Sequence, residues 1–573
     1  MRKAKGIFSA IVFLLSVAFV VSVFAQVPAS QTAGGITRQR QELEKERALE
    51  EKITTEKAAP KEGPPEELIP EDAGPKVLIT SIKVEGAQLL SEKEIQAIIS
   101  PFEGKELSLT AMQKVADLIT DAYRSKGYVT SRAYIPPQTV KEGILIIRVV
   151  EGRLGELDIK GNRYFSTELL RKKFDIKPTG YFDYSAFQQS LVYINEHPDR
   201  MARAVLMPGK EPGTTDIIIE VEDRLPIHPG IAYDNYASRY LSHDRYSVFL
   251  EHNNLLGFDD KLYLKYQMSE SDYLKLEQVQ YTFPLNNTIE VGAYYLGSDT
   301  ELGEEFKALD AEGEADLFGV FLDAILINKP DLDVRLTFGF DYKDIENYLL
   351  GVKTSEDNVR VAKVGFDVDT IDSWGRTIFT SGLDIGIPDI MGGMDSKDPM
   401  ASRTGAGGKF YKGIFNLFRL QPMPWETTLL WKNTFQYTNY NLVASEQFQI
   451  GGATSVRGYP PAEYAGDKGL YTALELSMPV YPVSKDAYVP FTTDVKLYDA
   501  LRFVTFYDWG TTHINSIIAG EKKHQTLRSV GCGVRLNVKD NLSFRVELGW
   551  PVGGRTPSDG DHMHPWFELI WKI

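Results

Sequence analysis

The run GGATSVRGYPP, Gly451 to Pro461, carries one arginine on a turn. Small residues lead to Arg457, and Gly458-Tyr459-Pro460-Pro461 breaks regular structure behind it. A guanidinium offers five donors in a rigid fork, which suits a carboxylate. Other chemistry-bearing residues are sparse. The eight histidines are scattered. Asp561, His562 and His564 in DHMH are near enough to suggest a metal, but two histidines two apart in a polar loop read as surface residues. Asp367 to Asp372, DVDTID, lacks the glycine and terminal glutamate of a calcium loop and reads as a strand end. Cys532 is the one cysteine, so no internal disulfide and no cysteine-rich zinc site can form; it reads as a small buried or wall-facing residue. No G-x-S-x-G and no Cys–His pairing stands out. The expectation is a non-enzyme without cofactor or metal.

The elements that would position Arg457 begin with an export signal. Arg2, Lys3 and Lys5 precede an apolar run from Ile7 to Phe24, and Val23-Phe24-Ala25 closes it with a V-x-A site. Residues 1–25 therefore read as a cleaved secretory signal, the alternative being an uncleaved anchor helix. Export without disulfides, many tyrosines and phenylalanines, and 47 glycines point to the Gram-negative envelope. A net charge of −16 argues against a nucleic-acid partner, whose binders carry basic patches.

Residues 26–57 contain TRQRQELEKERALEEKI, rich in helix formers with few apolar positions. A helix polar nearly all round is either a frayed solvated segment or one that sits in a water-filled pore. Residues 58–75 form a Pro-rich acidic linker, a semi-rigid spacer. Residues 76–152 and 153–224 hold two similar units, each reading strand-helix-helix-strand-strand. In the first, an alternating strand starts at Val77, and Ser91 with Glu94 makes a capping box. Met112, Val115, Leu118 and Ile119 form the stripe of its second helix. Small three-stranded sheets have open edges, and open edges pair with extended peptides.

From 225 to 573 helical periodicity nearly vanishes. Segments such as DKLYLKYQMS, DVRLTFGFDYK, LRFVTFYDWG and WFELIWKI alternate apolar and polar faces. In the last, Phe567, Leu569, Trp571 and Ile573 share one face, while Glu568, Ile570 and Lys572 share the other. A soluble sandwich also alternates. Strands of about nine to eleven residues, aromatics near strand ends and a final strand available for closure favour a membrane barrel. At roughly 22 residues per strand and loop, this region predicts about 16 strands.

In this order the parts resemble the outer-membrane transporters of two-partner secretion, in the superfamily of the barrel-assembly insertases. The two units look like polypeptide-transport-associated (POTRA) domains. The run around Val456-Arg457-Gly458-Tyr459 resembles the family's sixth-loop signature, and FYDWG matches its F-x-D-x-G strand pattern at Phe506, Asp508 and Gly510. Asp234-Asn235, Asn253-Asn254-Leu255-Leu256-Gly257 and Asp259-Asp260 resemble its first barrel hairpin, and RAVLMPGKEPGTTDIIIEVED resembles the end of its second POTRA domain. The last residue is Ile573, where such barrels commonly end in phenylalanine.

The resemblance implies α+β POTRA domains in the periplasm followed by a transmembrane antiparallel β-barrel of about 16 strands in the outer membrane. It places the partner of Arg457 at Asp508, which alternation lets face the lumen while Tyr507 and Trp509 face lipid. Gly510 then clears space for the loop, and Tyr459 packs it against the wall. It also implies an unfolded exoprotein, hemolysin- or adhesin-like, bound by the POTRA domains and threaded through the lumen after the polar helix moves aside. Outer-membrane lipid and the barrel-insertion machinery are the other partners, and a closed barrel has no edge that requires a second copy, so a monomer is expected. The rival readings are a barrel-assembly factor, which usually carries more POTRA units and no plug helix, and a passive pore, which needs no periplasmic domains.

Overall fold

The computed structural model describes residues 27–55, 75–140, 142–174, 180–490, 492–517, 521–539 and 541–573. The expected signal, 1–25, and all but the last residue of the expected linker, 58–75, lie outside the described residues. The chain divides into two compact units, one of POTRA-type domains and one containing a polar helix and the barrel.

In the first unit, Ser81–Glu85 runs parallel to Ile144–Val150, which pairs antiparallel with Arg132–Tyr134. Two helices, Glu92–Ile99 and Leu109–Ser125, cover the sheet. Ser91 and Glu94 cap the first reciprocally. Met112, Val115, Ala116, Ile119 and Tyr123 of the second are buried against Ile82, Leu145 and Ile147. Leu118 does not belong to this stripe and is 37% exposed. It lies three residues after Val115 but only one before Ile119, about 100° off the buried face of a 3.6-residue helix. Val77 does not start the long strand either: Val77–Ile79 pairs separately with Lys105–Leu107.

The second domain repeats the plan. Arg153–Lys160 is parallel to Thr214–Asp223, itself antiparallel to Arg200–Pro208. Phe165, Phe182, Phe187, Ile217 and Ile219 form its core beneath Thr167–Lys173 and Tyr184–Asn195. Arg200–Pro208 is an edge strand, with Met201, Val205 and Met207 exposed.

In the other unit, sixteen strands among the described residues close into an antiparallel barrel. The first, Ile227–Asp234, pairs with Arg245–His252 over eight register positions and with the last, His564–Lys572, over five. Asp234 ends the first strand, whereas Asn253-Asn254 and Asp259-Asp260 fall in the turn between the second and third. Burial alternates along the strands, and Tyr246, Phe318, Phe415, Trp431, Tyr507 and Trp571 stand on the outer face. Cys532, opposite Thr505, also lies on this wall.

Several strands exceed the expected nine to eleven residues. Ala311–Lys329, Leu332–Leu349 and Val352–Asp372 contain 19, 18 and 21. The excess lies beyond the hydrocarbon: outward positions Glu312, Glu314 and Asp316 are exposed and acidic, and the apolar band begins at Phe318 and Val320. Hydrocarbon requires only about 9–11 residues per strand, so such charges belong outside it.

Helix α1, Ala33–Thr54, lies inside the barrel, with Thr32 as its N-cap. Its 22 residues span about 33 Å. The backbone of Ala33 donates to Asn347 Oδ1 at 2.9 Å near the loop end, and Arg376 donates to the carbonyl of Thr55 at 2.5 Å near the turn end. Its charged residues meet lumenal polar groups, while Ile36, Leu43 and Ile53 pack on separate apolar wall residues, which explains a sequence with no continuous apolar stripe.

Candidate functional site

The loop between Thr427–Tyr437 and Lys468–Pro479 folds back into the lumen. A short antiparallel pair, Phe448–Ile450 with Tyr464–Gly466, shapes its stem. Gly451 and Gly452 have φ of +107° and +100°, and the Gly452 amide donates to the Tyr459 carbonyl at 3.0 Å. Gly458 serves differently. Its backbone is not left-handed; a Cβ there would come within 2.7 Å of Ser529 Cβ and the Pro551 amide. The tip therefore lies flat against the wall.

Arg457 is 1% exposed. Its Nε and Nη2 reach the two oxygens of Asp508 at 3.0 and 2.6 Å, and its own amide donates to Asp508 Oδ2 at 3.1 Å. Ser529 Oγ donates to the same oxygen at 2.9 Å. The guanidinium carbon stands 3.4 Å from the Phe506 ring centre, a cation–π contact stacked on the wall. Trp566 Nε1 donates to the Arg457 carbonyl at 2.8 Å. Val456 and Tyr459 are buried with Ile450, Phe448 and Tyr471. A Cβ on Gly510 would lie 2.8 Å from Val456 Cγ2. The four loop residues and the three strand residues thus meet in one place.

Arg457 has two further partners. Its Nη1 lies 3.0 Å from Glu547 Oε2 and 2.9 Å from Glu475 Oε1. Glu475 also meets Lys432 at 2.9 Å and Arg535 at 3.0 Å. Lys432 donates to Glu46 at 2.8 Å and to Glu50 at 2.7 Å, both on α1, and Glu50 accepts from Arg545 at 2.8 Å. Arg457, Arg535, Arg545 and Lys432 are thereby interleaved with Asp508, Glu475, Glu547, Glu46 and Glu50. Four cations against five carboxylates link the loop tip to α1 through the barrel wall. Sequence reasoning did not find Glu475, Glu547 or Lys432. Alternation along TALELS and FRVELG turns these glutamates inward, which was the available signal, but it does not say whom they meet.

A second cluster lies at the loop end. Asp467, fully buried, accepts from the amides of Leu442 at 2.8 Å and Asn515 at 2.7 Å, with Arg403 Nη1 3.5 Å away. Three loops converge on that carboxylate. Of the DHMH residues, only His564 is buried, and its Nε2 lies 2.8 Å from Asp559 and not on His562. Asp559, Asp561 and His564 form a compact group whose His–Asp bond ties the eighth loop to the last strand.

A closed outer-facing-apolar barrel preceded by POTRA-type domains defines the class: an outer-membrane β-barrel transporter. Residues 213–536 match the model of the haemolysin secretion/activation proteins ShlB/FhaC/HecB, and residues 77–152 match the ShlB-type POTRA domain. The chain belongs to this haemolysin secretion/activation family. It is 21% identical over 99% of both chains to the heme/hemopexin transporter protein HuxB of Haemophilus influenzae. It is 21% identical to the outer membrane transporter CdiB of Dickeya dadantii, covering 84% of this chain and 83% of that one. Its fold is similar to CdiB from Escherichia coli, with a TM-score of 0.76 and 22% identity over 96% of this chain and 99% of the other. The protein is a two-partner secretion translocator of the outer membrane, with periplasmic POTRA domains that bind an exoprotein and a barrel that passes it to the surface.

Proposed function

We propose that α1 closes the lumen at rest, and that the Arg457 network holds the sixth loop and α1 in that state until an exoprotein arrives. The observation that carries this reading is the run of ion pairs from Asp508 through Arg457, Glu475 and Lys432 to Glu46 and Glu50. Buried pairs are costly to break one-sidedly, at about 3–5 kcal/mol per abandoned charge. Exchanging partners one at a time costs less, and an alternating network permits that. Releasing α1 would therefore leave Lys432 on Glu475 and Arg545 beside Glu547, while Asp508 keeps Arg457 on the wall.

The exoprotein, hemolysin- or adhesin-like, would be recognised in extended form by the edge strand Arg200–Pro208, whose open backbone and exposed Met201, Val205 and Met207 favour strand addition. No ATP is available in the periplasm and the sequence has no P-loop, so folding of the exoprotein outside would bias direction. The chain carries this out as a transporter and not as an enzyme. With every barrel strand paired, it works as a monomer, seated in outer-membrane lipid by the insertion machinery. Arg457→Ala should give a barrel that still shows heat-modifiable mobility in detergent while secretion falls at least tenfold. Wild-type secretion by that variant would refute the anchor. A general loss of outer-membrane barrels from cells lacking the protein would instead favour the assembly-factor reading.

A further inference from the structure

We propose that His513 and His524 form a two-nitrogen site for a divalent transition-metal ion of the zinc, copper or nickel class on the outer rim of the barrel. The two residues are register partners at the ends of Leu501–His513 and His524–Val538. Their ring centres are 4.3 Å apart at 61°. Nδ1 of His513 lies 3.1 Å from Nδ1 and 3.3 Å from Nε2 of His524. Two imidazoles on one ion at about 2.0–2.1 Å, with a tetrahedral or square angle between them, set their nitrogens about 2.9–3.4 Å apart. The pair already holds that spacing.

Nδ1 of His513 is nearly equidistant from both nitrogens of His524 and stands over that ring, so a turn of the His524 ring about its Cβ–Cγ bond would aim one nitrogen at an ion shared with His513. The surroundings keep the imidazoles available for this. His513 stands four residues beyond Trp509, about 13 Å farther out along the strand. Lys468 is its register partner on the other flank. Both ligands come from rigid strand ends, so little ordering is needed on binding, and solvent or an external donor would complete the coordination.

The ion would sit at the base of the seventh loop. There the Ile514 amide donates to the Lys523 carbonyl at 3.0 Å, and Asn515 reaches Asp467 where three loops meet. Occupancy would fix that base and stiffen the outer mouth.

The test uses the full-length, tag-free protein in detergent. With one equivalent of Cu2+, electron paramagnetic resonance should show coupling to two nitrogens. Zinc titration should give one ion per chain, with affinity lowered at least tenfold in both His513→Asn and His524→Asn and unchanged in Asp561→Asn. Heat-modifiable mobility should be the same in all three variants. Zinc binding untouched by either histidine change, loss confined to Asp561→Asn, or no binding by the wild type at millimolar zinc would each overturn the proposal.

Discussion

At the residue scale, Arg457 was legible and its surroundings were only half so. The run VRGY and the FYDWG strand could be paired by resemblance, and the structure brings Arg457 to Asp508 through three hydrogen bonds. Glu475 and Glu547 escaped notice because an inward glutamate on a barrel strand reads like any water-facing polar residue. Partners across the lumen are far apart in sequence and leave no local pattern. The same limit applies to Gly458, which suggested a turn by type but is required by close approach to Ser529 and Pro551. A Cβ on Gly510 would crowd Val456 and Ile450, and that gives a sharp prediction. Gly510→Val places side-chain atoms where Val456 and Ile450 already lie. Overpacking of this kind costs about 1–3 kcal/mol. The temperature at which the barrel loses its compact electrophoretic mobility should fall, while an alanine on the exposed Tyr437 should leave it unchanged.

At the element scale, α1 and the edge strand of the second POTRA domain are the parts to remove or block. The sequence left the polar segment open between a frayed helix and a pore helix, since both have the same composition. What decides its setting is the lining: Asn347, Gln267, Gln436, Lys432 and Arg545 each present a polar group to it. Excision of residues 33–54 should raise single-channel conductance in planar bilayers severalfold, and conductance equal to wild type would show that α1 does not occlude the lumen. The edge strand makes a separate prediction. Charges at Val205 and Met207, as Val205→Asp with Met207→Asp, should weaken capture of the exoprotein at least tenfold in a pull-down without altering conductance. Strand lengths were the main misreading at this scale. Nine to eleven residues is what the hydrocarbon alone requires, whereas the hydrogen-bonded ladder continues past it through outward acidic residues such as Glu312 and Glu314.

At the scale of the whole molecule, the fold class was legible because alternation and helix capping are local signals. The POTRA-type domains have their own cores, built around Ile119 and Ile147 in one and Phe187 and Ile219 in the other. Residues 75–226 made alone should therefore unfold cooperatively in urea, giving a single sigmoidal loss of circular dichroism. A gradual, featureless loss would mean that these domains depend on the rest of the chain. The barrel cannot be divided in this way, because its first strand is completed by its last. That closure has a topological consequence. The start of α1 packs with Ala311 and Leu349 at the outer end, its last residues lie beside Arg376 at the opposite end, and Ile227 begins the wall from that same opposite end. The polypeptide is therefore threaded through a ring made from itself, like an axle through a wheel. Such a link can arise only if the wall closes around the segment already in place or the free end is drawn through afterwards. It can be undone without rupturing the ring only by sliding that end back.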